Sequence, residues 1–251
     1  MNFLIMGYGK MGHEVEAVLL ERGHRIVARI DEKPGLGDGT SPTKEQLSQA
    51  EVAIEFSHPT AVKNNAALYA RAGLSAVVGT TGWKADEEEV KRLVKESGIG
   101  YIRGSNFSIG AHLFFTLVEE AARLIHPFPQ YDIFLYEIHH NQKKDSPSGT
   151  ALTAADRILK ALPRKKKITT ERLDRQIEPE ELHVASVRGG AVPGVHSVLL
   201  DSIADTIEIT HSARNRSGFA LGAVLAAEWI QKKKGFFEVE DFIRDVFLKG
   251  R

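Results

Sequence analysis

The sequence of 251 residues contains no cysteine. This absence excludes disulfide bonds, thiolate catalysis and cysteine-ligated zinc, and it fits a reducing compartment. No apolar run reaches the roughly 18 residues that a membrane-spanning helix needs. The N-terminal residues MNFLIMGYGKMG are too short and too rich in glycine to be the apolar region of a signal peptide. We therefore predict a cytoplasmic protein without a membrane partner.

The sequence also lacks an excess of either charge, because 33 lysine and arginine residues balance 33 aspartate and glutamate residues. No global field attracts nucleic acid, so we predict no nucleic-acid partner. Hydrophobic residues make up 42% and charged residues 26% of the chain, which is an ordinary globular composition. A chain of this length forms one large domain or two smaller ones.

The first hundred residues alternate between strand patterns and helix patterns. We predict strands at 2–6, 25–30, 52–56, 74–78 and 100–102, with helices after Gly12, at 61–72 and at 87–97. Strands that alternate with helices predict a parallel sheet covered on both faces. The predicted fold class is therefore α/β, with a Rossmann-like doubly wound sheet.

Three glycines, Gly7, Gly9 and Gly12, follow the first strand and open the first helix. This G-x-G-x-x-G spacing is typical of a dinucleotide site. There the first glycine permits a tight turn, the second lets the backbone approach a pyrophosphate, and the third lets helix and strand pack closely. Asp31 closes the second strand and would accept hydrogen bonds from the ribose hydroxyls. Asp31 favours NAD, while Arg29 or Lys33 could offset the charge of an NADP phosphate, so both cofactors stay open.

Three further loops follow strands and are expected at the ligand-binding edge of the sheet. They are Ser57-His58-Pro59, Gly79-Thr80-Thr81-Gly82 and Ser105-Asn106-Phe107-Ser108. The threonine turn is small and rich in hydrogen-bond donors, so we expect it near the nicotinamide. The alternative is a plain hydrogen-bonded turn. We expect His58 to be a loop residue or a cap.

The pattern changes after residue 108. Strands are predicted at 132–139, 182–187, 195–200 and 206–211, and helices at 111–125, 151–162, 219–232 and 240–247. This segment predicts a second α+β domain with a mixed or antiparallel sheet. We assign 1–108 and 215–251 to the dinucleotide-binding domain and 109–214 to a substrate-binding and oligomerisation domain. The segment Arg188-Gly189-Gly190 is predicted to be only a turn.

The segment EIHHNQKKDSPSGTA, residues 137–151, combines imidazole, ammonium and a Ser-Gly-Thr turn before a helix. Neighbouring side chains of a strand point to opposite faces, so His139 and His140 are not expected to share a metal, and we predict no metal site. Glu137 shares a face with His139 and is expected to orient it. Lys143 with a helix N-terminus makes a receptor for carboxylates. Ser146 is the predicted N-cap, with Pro147 at the first helical position.

This segment resembles the signature of the dihydrodipicolinate reductases (4-hydroxy-tetrahydrodipicolinate reductases) of lysine and diaminopimelate biosynthesis. The resemblance extends to other segments along the chain: Gly9-Lys10-Met11-Gly12, Gly79-Thr80-Thr81-Gly82, Ser105-Asn106-Phe107-Ser108, Ser186-x-Arg188-Gly189-Gly190, Gly194-x-His196 and Arg216-x-x-Phe219-Ala220. The glycine-rich loop is shorter than in many members, and Lys10 stands where arginine is also common.

The resemblance implies transfer of hydride from NADH or NADPH to a small cyclic dicarboxylate imine. It implies His139 as the acid/base residue and Lys143 as a proton donor or substrate contact. It also implies a carboxylate site and a cofactor site. The carboxylate site comprises His140, Lys143, Ser148, Gly149 and Thr150. The predicted cofactor site comprises Gly7, Gly9, Lys10, Met11, Gly12, Asp31, Gly79, Thr80, Thr81, Ser105, Asn106, Phe107 and Arg216.

The resemblance further implies a homotetramer in which second-domain sheets pack together, and closure of the two domains. The chain crosses between the predicted domains near Ser108 and Asn215, which are the candidate hinges. Two other readings stay open at this point. One is a different two-domain NAD(P) dehydrogenase acting on an amino acid or a semialdehyde. The other is a non-catalytic dinucleotide sensor, which would need the glycines and Asp31 but no proton donor.

Overall fold

The structure, a computed structural model, describes residues 1–248. The chain divides into two compact units. One consists of Met1–Ile109 together with the chain from Arg216 onward, and the other consists of Gly110–Asn215. The described residues form eleven strands: β1 Asn2–Met6, β2 Arg25–Ile30, β3 Val52–Glu55, β4 Ser75–Val78, β5 Gly100–Arg103, β6 Asp132–His139, β7 Lys167–Thr169, β8 Glu181–Arg188, β9 Val195–Asp201, β10 Thr206–Ser212 and β11 Gly235–Glu238.

The described residues also form eight α-helices, besides short 3₁₀ turns at Pro59–Ala61 and Lys84–Asp86. The helices are α1 Lys10–Glu21, α2 Lys44–Gln49, α3 Val62–Ala72, α4 Glu87–Ser97, α5 Ile109–Leu124, α6 Gly149–Ala161, α7 Ser217–Ile230 and α8 Val239–Leu248. The sequence patterns did not indicate α2, β7 or β11. These elements have only six, three and four residues, which is too short for a hydrophobic period to stand out.

The first unit contains a six-stranded parallel sheet in the order β11-β5-β4-β3-β1-β2. Strands β3 and β4 are buried along their whole length, as expected where helices cover both faces of a parallel sheet. Helix α7 packs together with α1 and α8 in one hydrophobic core beside this sheet. The predicted Rossmann-like fold of this part is confirmed.

Helix α7 packs closely because it is rich in small residues. A Cβ atom on Gly222 would lie 1.7 Å from the carbonyl oxygen of Phe107, so only glycine allows this approach. Helices α3 and α4 end at Gly73 and Gly98, whose φ angles are 67° and 66°. Glycine adopts this left-handed conformation without steric cost, which explains where both helices stop.

The second unit contains a five-stranded sheet in the order β10-β9-β6-β8-β7. Strand β9 is antiparallel to both β6 and β10, while β8 runs parallel to β6 and to β7. The predicted mixed sheet is thus confirmed. Helices α5 and α6 pack on one face of this sheet and share a core with the inward residues of β6, β8 and β9. The edge where β6 ends and α6 begins carries the histidine segment.

Candidate active site

The glycine-rich loop of the first unit has the geometry that the sequence predicts. Gly7 has a φ of +90°, and a Cβ there would lie 2.1 Å from the carbonyl oxygen of Phe56. A Cβ on Gly12 would lie 2.4 Å from the carbonyl oxygen of Gly7, so this glycine permits the close approach of α1 to β1. Gly9, which precedes α1, has open space above it. The loop and the helix N-terminus therefore have the geometry that could hold a pyrophosphate.

Asp31 lies beside this loop at the end of β2. Its Oδ2 accepts a hydrogen bond of 2.8 Å from the backbone N–H of Tyr8, and its Oδ1 accepts one of 3.0 Å from the backbone N–H of Lys33. The carboxylate is therefore held at the loop, in the position from which dinucleotide sites of this kind bind ribose hydroxyls. Lys10 is exposed and Met11 is half-buried in the first turn of α1.

Arg29 is already paired within the protein. Its guanidinium donates to Glu16 through Nε at 2.8 Å and to Asp38 through Nη1 at 3.3 Å. The hydrogen bonds that Arg29 donates to Glu16 raise the pKa of Arg29 above its ordinary value. A cofactor phosphate would have to compete with these two carboxylates for Arg29, whereas Lys33 is exposed.

The threonine turn divides into a structural part and an exposed part. Thr80 Oγ1 accepts a hydrogen bond of 2.8 Å from the backbone N–H of Ser57, so its hydroxyl connects two loops. Thr81 is exposed. A Cβ on Gly79 would lie 2.0 Å from the ring of Phe56, which explains the glycine. His58 caps the following 3₁₀ turn by accepting from the backbone N–H of Thr60, as predicted.

A cavity of about 360 Å³ lies beside this turn. It is lined by Thr80, Thr81, Gly82, Trp83, Lys84, Glu87, Arg103, Gly104, Ser105, Glu238, Val239 and Glu240. Ser105 is exposed and Asn106 is half-buried, with its side-chain oxygen accepting from Ser108 N–H at 2.9 Å. Phe107 is only 1% exposed and packs in the core, so its side chain supports the loop instead of facing a ligand. Arg216 is exposed immediately before α7.

The second unit brings Glu137, His139 and Arg188 together at the end of β6. Glu137 is fully buried, and its Oε2 accepts a hydrogen bond from Nδ1 of His139. Arg188 donates to Oε1 at 2.7 Å and to Oε2 at 2.9 Å. Burial raises the pKa of Glu137, but the hydrogen bonds from Arg188 and His139 outweigh it and lower that pKa to about 2. An ionised carboxylate only accepts, so Nδ1 of His139 carries a proton and Nε2 is left for chemistry.

The expectation that Glu137 orients His139 is confirmed by this contact, whereas the expectation that Arg188 belongs only to a turn is wrong. Arg188 ends strand β8, in register with His139 of β6. Its guanidinium also donates to the carbonyl of Asp145 at 2.7 Å, which connects the loop after β6 to this strand. Sequence alone offered no signal for the pair, because Arg188 and Glu137 are 51 residues apart.

The N-cap of helix α6 is not the residue that the sequence predicts. Ser148, not Ser146, is the N-cap, because its hydroxyl accepts from the backbone N–H of Ala151 at 3.1 Å. The Ser148 backbone N–H donates to Glu137 Oε1 at 3.2 Å. Gly149 opens the helix and is exposed, with nothing near the position of a Cβ. The helix N-terminus thus lies beside the Glu137–His139 pair.

Of the remaining predicted residues, His140 and Lys143 lie in the loop between β6 and α6, and Thr150 lies in α6. His140 follows the end of β6, and its Nδ1 accepts from Gln142 N–H at 3.2 Å. Lys143 is half-buried and donates to both carboxylate oxygens of Asp145, at 2.8 and 2.9 Å. This pairing lowers the pKa of Asp145. Thr150 is half-buried in the first turn of α6.

Glu137, His139 and His196 each offer one atom within 4.8 Å of the others, which is close enough for a metal ion. Both oxygens of Glu137, however, already accept from the guanidinium of Arg188. A divalent cation there would lie next to a permanent positive charge, which opposes its binding. The donor set therefore fits proton chemistry better than metal ligation.

Among residues 1–248, no helix is long and apolar enough to cross a membrane.

A family model described as dihydrodipicolinate reductase, N-terminus, matches residues 1–107, and one described as dihydrodipicolinate reductase, C-terminus, matches residues 110–243. A 4-hydroxy-tetrahydrodipicolinate reductase of Christiangramia forsetii is 38% identical over 98% of this chain and 99% of its own. One from Archaeoglobus fulgidus is 35% identical over 94% of this chain and 96% of its own.

The fold is also that of a solved structure, a dipicolinate-bound dihydrodipicolinate reductase from Paenisporosarcina sp. TG-14. The TM-score is 0.76, and the match covers 96% of this chain and 98% of the other at 23% sequence identity.

Proposed function

The chain belongs to the dihydrodipicolinate reductase family, and on this basis we propose that it reduces 4-hydroxy-tetrahydrodipicolinate to tetrahydrodipicolinate with NADH or NADPH. The reaction belongs to lysine and diaminopimelate biosynthesis. It consumes one hydride and one proton and releases water. When bound, the reduced nicotinamide supplies the hydride. The protein then has to bind a dicarboxylate, deliver a proton and hold the dinucleotide.

His139 is the proposed acid/base residue. The observation that carries this assignment is its hydrogen bond from Nδ1 to the fully buried Glu137 carboxylate. The bond leaves Nε2 as the nitrogen that gives or takes a proton. Arg188 keeps Glu137 ionised and therefore keeps it an acceptor.

The N-terminus of α6 and the loop before it are the proposed carboxylate receptor. The open space at Gly149 leaves the first backbone N–H groups of α6 accessible to an anion. Ser148 and Thr150 add hydroxyl donors, and His140 and Lys143 add polar groups from the loop. Lys143 is held by Asp145, so its ammonium has a defined position before substrate arrives.

The cofactor site is proposed along Gly7, Gly9, Lys10, Met11, Gly12 and Asp31, with Gly79, Thr80, Thr81, Ser105, Asn106, Phe107 and Arg216. The support is strongest at the glycine-rich loop, where the open space over Gly9 and the fixed carboxylate of Asp31 suit a pyrophosphate and a ribose. Thr80 and Phe107 would contribute through the backbone of their loops, because their side chains serve packing or loop contacts.

The test is oxidation of reduced nicotinamide, followed by absorbance. The purified protein receives the freshly formed product of dihydrodipicolinate synthase, with NADH and NADPH in separate assays. We expect oxidation that depends on the dicarboxylate, and the ratio of the two rates measures cofactor preference. Binding of NAD(P)H without turnover would overturn the proposal and favour a dinucleotide sensor.

We also propose that the second unit carries a self-association surface and that the protein is a homotetramer. The face of the sheet opposite α5 and α6 bears Phe134 and Val187, which are 36% and 51% exposed, with Tyr136, Ile138 and Leu199 half-buried beside them. An apolar sheet face of this kind suits contact with another copy. Light scattering of Phe134→Lys should report smaller species than the parent protein. A monomeric parent protein would contradict the proposal.

The cytoplasmic location and the absence of nucleic-acid and membrane partners stay predictions.

A further inference from the structure

His196 is a buried histidine at the candidate site to which the proposed reaction assigns no role. It lies in β9 directly opposite Glu137 of β6, and it is only 4% exposed. Its ring lies 5.0 Å from the ring of His139, between centroids. Burial, and then the neighbouring imidazole of His139, lower the pKa of His196 to about 4, so the His196 imidazole is neutral at neutral pH.

His196 forms a hydrogen bond with Ser148, the N-cap of α6. His196 Nε2 lies 2.9 Å from Ser148 Oγ. The same oxygen accepts from Ala151 N–H, and the Ser148 backbone N–H donates to Glu137. Two side chains from adjacent strands, Glu137 and His196, thus hold the first residue of the proposed carboxylate receptor.

The direction of the His196–Ser148 hydrogen bond decides what the serine can offer a ligand. A neutral imidazole has one N–H and one bare nitrogen. If Nε2 carries the hydrogen, it donates to Ser148 Oγ, and the serine O–H is free to donate elsewhere. If Nδ1 carries the hydrogen, the serine O–H must donate to Nε2. The buried Nδ1–H then lacks an acceptor, since Nδ1 has no partner among the described residues. A carboxylate at the N-terminus of α6 draws the serine O–H to itself and therefore selects the first arrangement.

We propose that His196 is a positioning residue for substrate, which donates from Nε2 to Ser148 Oγ and so directs the Ser148 O–H toward one carboxylate of the cyclic dicarboxylate. This inference rests on the proposed function, because it assigns Ser148 to the carboxylate receptor. The probe for this inference is pyridine-2,6-dicarboxylate. This planar dicarboxylate does not accept a hydride as the substrate does, so it reports binding alone.

The experiment compares four variants: His196→Gln, His196→Asn, Ser148→Ala and the double variant His196→Asn/Ser148→Ala. Glutamine carries an amide N–H near the place of Nε2, whereas asparagine is one methylene shorter and does not reach Ser148. Calorimetry gives the Kd of pyridine-2,6-dicarboxylate and of NADH, and thermal unfolding checks that each variant is folded.

We expect His196→Asn to raise the Kd of the dicarboxylate about tenfold, because that is the order of effect when one hydrogen bond to a charged group is lost. His196→Gln should stay within about threefold of the parent protein, the Kd of NADH should not change, and KM should rise more than kcat falls. The double variant should bind no more weakly than Ser148→Ala, because His196 acts through that hydroxyl.

Additive losses in the double variant would overturn the inference, as would equal losses in the glutamine and asparagine variants. A parent protein that neither binds pyridine-2,6-dicarboxylate nor oxidises NAD(P)H would instead overturn the proposed function itself. If His196→Asn does not fold, the comparison of His196→Gln with Ser148→Ala decides: a glutamine variant as weak as the alanine variant contradicts the inference.

Discussion

Arg188 donates two hydrogen bonds to Glu137, at 2.7 Å to Oε1 and 2.9 Å to Oε2, and the carboxylate that receives them is fully buried. Glu137 in turn accepts from Nδ1 of His139. The pair therefore does two things: it compensates a buried charge, and it holds the imidazole that the proposed reaction uses.

Replacing Arg188 by leucine removes the permanent positive charge beside Glu137. The buried carboxylate keeps hydrogen bonds from His139 and the Ser148 N–H but loses its charged partner. We expect the free energy of unfolding to fall by about 3 kcal/mol, measured by urea denaturation, since loss of one partner from a buried pair has this order of cost. The matched control is Arg22→Leu, whose partner Glu228 is partly exposed. There we expect a loss below about 1 kcal/mol. Equal losses in the two variants would show that Glu137 is not held as an ion in the folded protein.

Replacing His139 by glutamine removes the proposed proton donor but keeps a side chain of similar size. We expect kcat to fall on the order of a hundredfold, as is typical for loss of a general acid, with little change in the Kd of NADH. His126→Gln is the control, because that side chain is exposed after α5. An unchanged rate in His139→Gln would make His139 structural.

Replacing Lys143 by alanine removes the ammonium that pairs with Asp145 and belongs to the proposed carboxylate receptor. We expect strongly lowered turnover while NADH binding persists, because Lys143 belongs to the substrate side of the proposed reaction. Lys144→Ala is the adjacent control, and its side chain is exposed. Near-normal kcat and KM in the Lys143 variant would remove this residue from the mechanism.

Replacing Asp31 by asparagine keeps an oxygen for Tyr8 N–H but removes the charge that ribose hydroxyls would meet. We expect NADH to bind about tenfold more weakly, the order of one hydrogen bond to a charged group. NADPH should lose less, because its phosphate no longer faces a carboxylate. Glu45→Gln, on α2, serves as a surface control. Parallel losses for both cofactors would argue that Asp31 only supports the loop.

The buried His196 predicts how stability depends on pH. Its pKa is about 4 in the folded protein and near 6.5 when unfolded, so the unfolded state binds more protons between these values. Stability therefore falls as pH decreases from 6.5 to 4, by at most about 1.4 kcal/mol per pH unit for this residue. Burial lowers the pKa of His211 on β10, which acts in the same direction.

Urea denaturation between pH 4.5 and 7 measures this slope. His196→Gln should make it shallower, because glutamine does not titrate. In the folded protein Glu137 stays ionised across this range, because its pKa is about 2. Its unfolded carboxyl binds protons below about pH 5, so the slope that His196 causes is read between about pH 5 and 7. Identical slopes in the parent protein and the variant would mean that His196 is accessible to protons in the folded state.

The sequence by itself determined the parallel sheet, the dinucleotide turn and the histidine segment. These features are local: apolar runs and helical periods appear within a few residues, and Gly7, Gly9 and Gly12 follow directly from what a turn and a close backbone approach require. The side on which Glu137 meets His139 also follows locally, since residues two apart in a strand share a face.

The tertiary structure alone decided which distant residues complete the site. Arg188 reaches Glu137 across 51 residues of sequence, and His196 reaches Ser148 across 48. Ser148 is the N-cap of α6, and Phe107 is buried in the core that it shares with α7. Contacts of this kind arise from strand pairing and helix packing between separated segments. They leave no periodic pattern in the residues themselves, so only the folded arrangement reveals them.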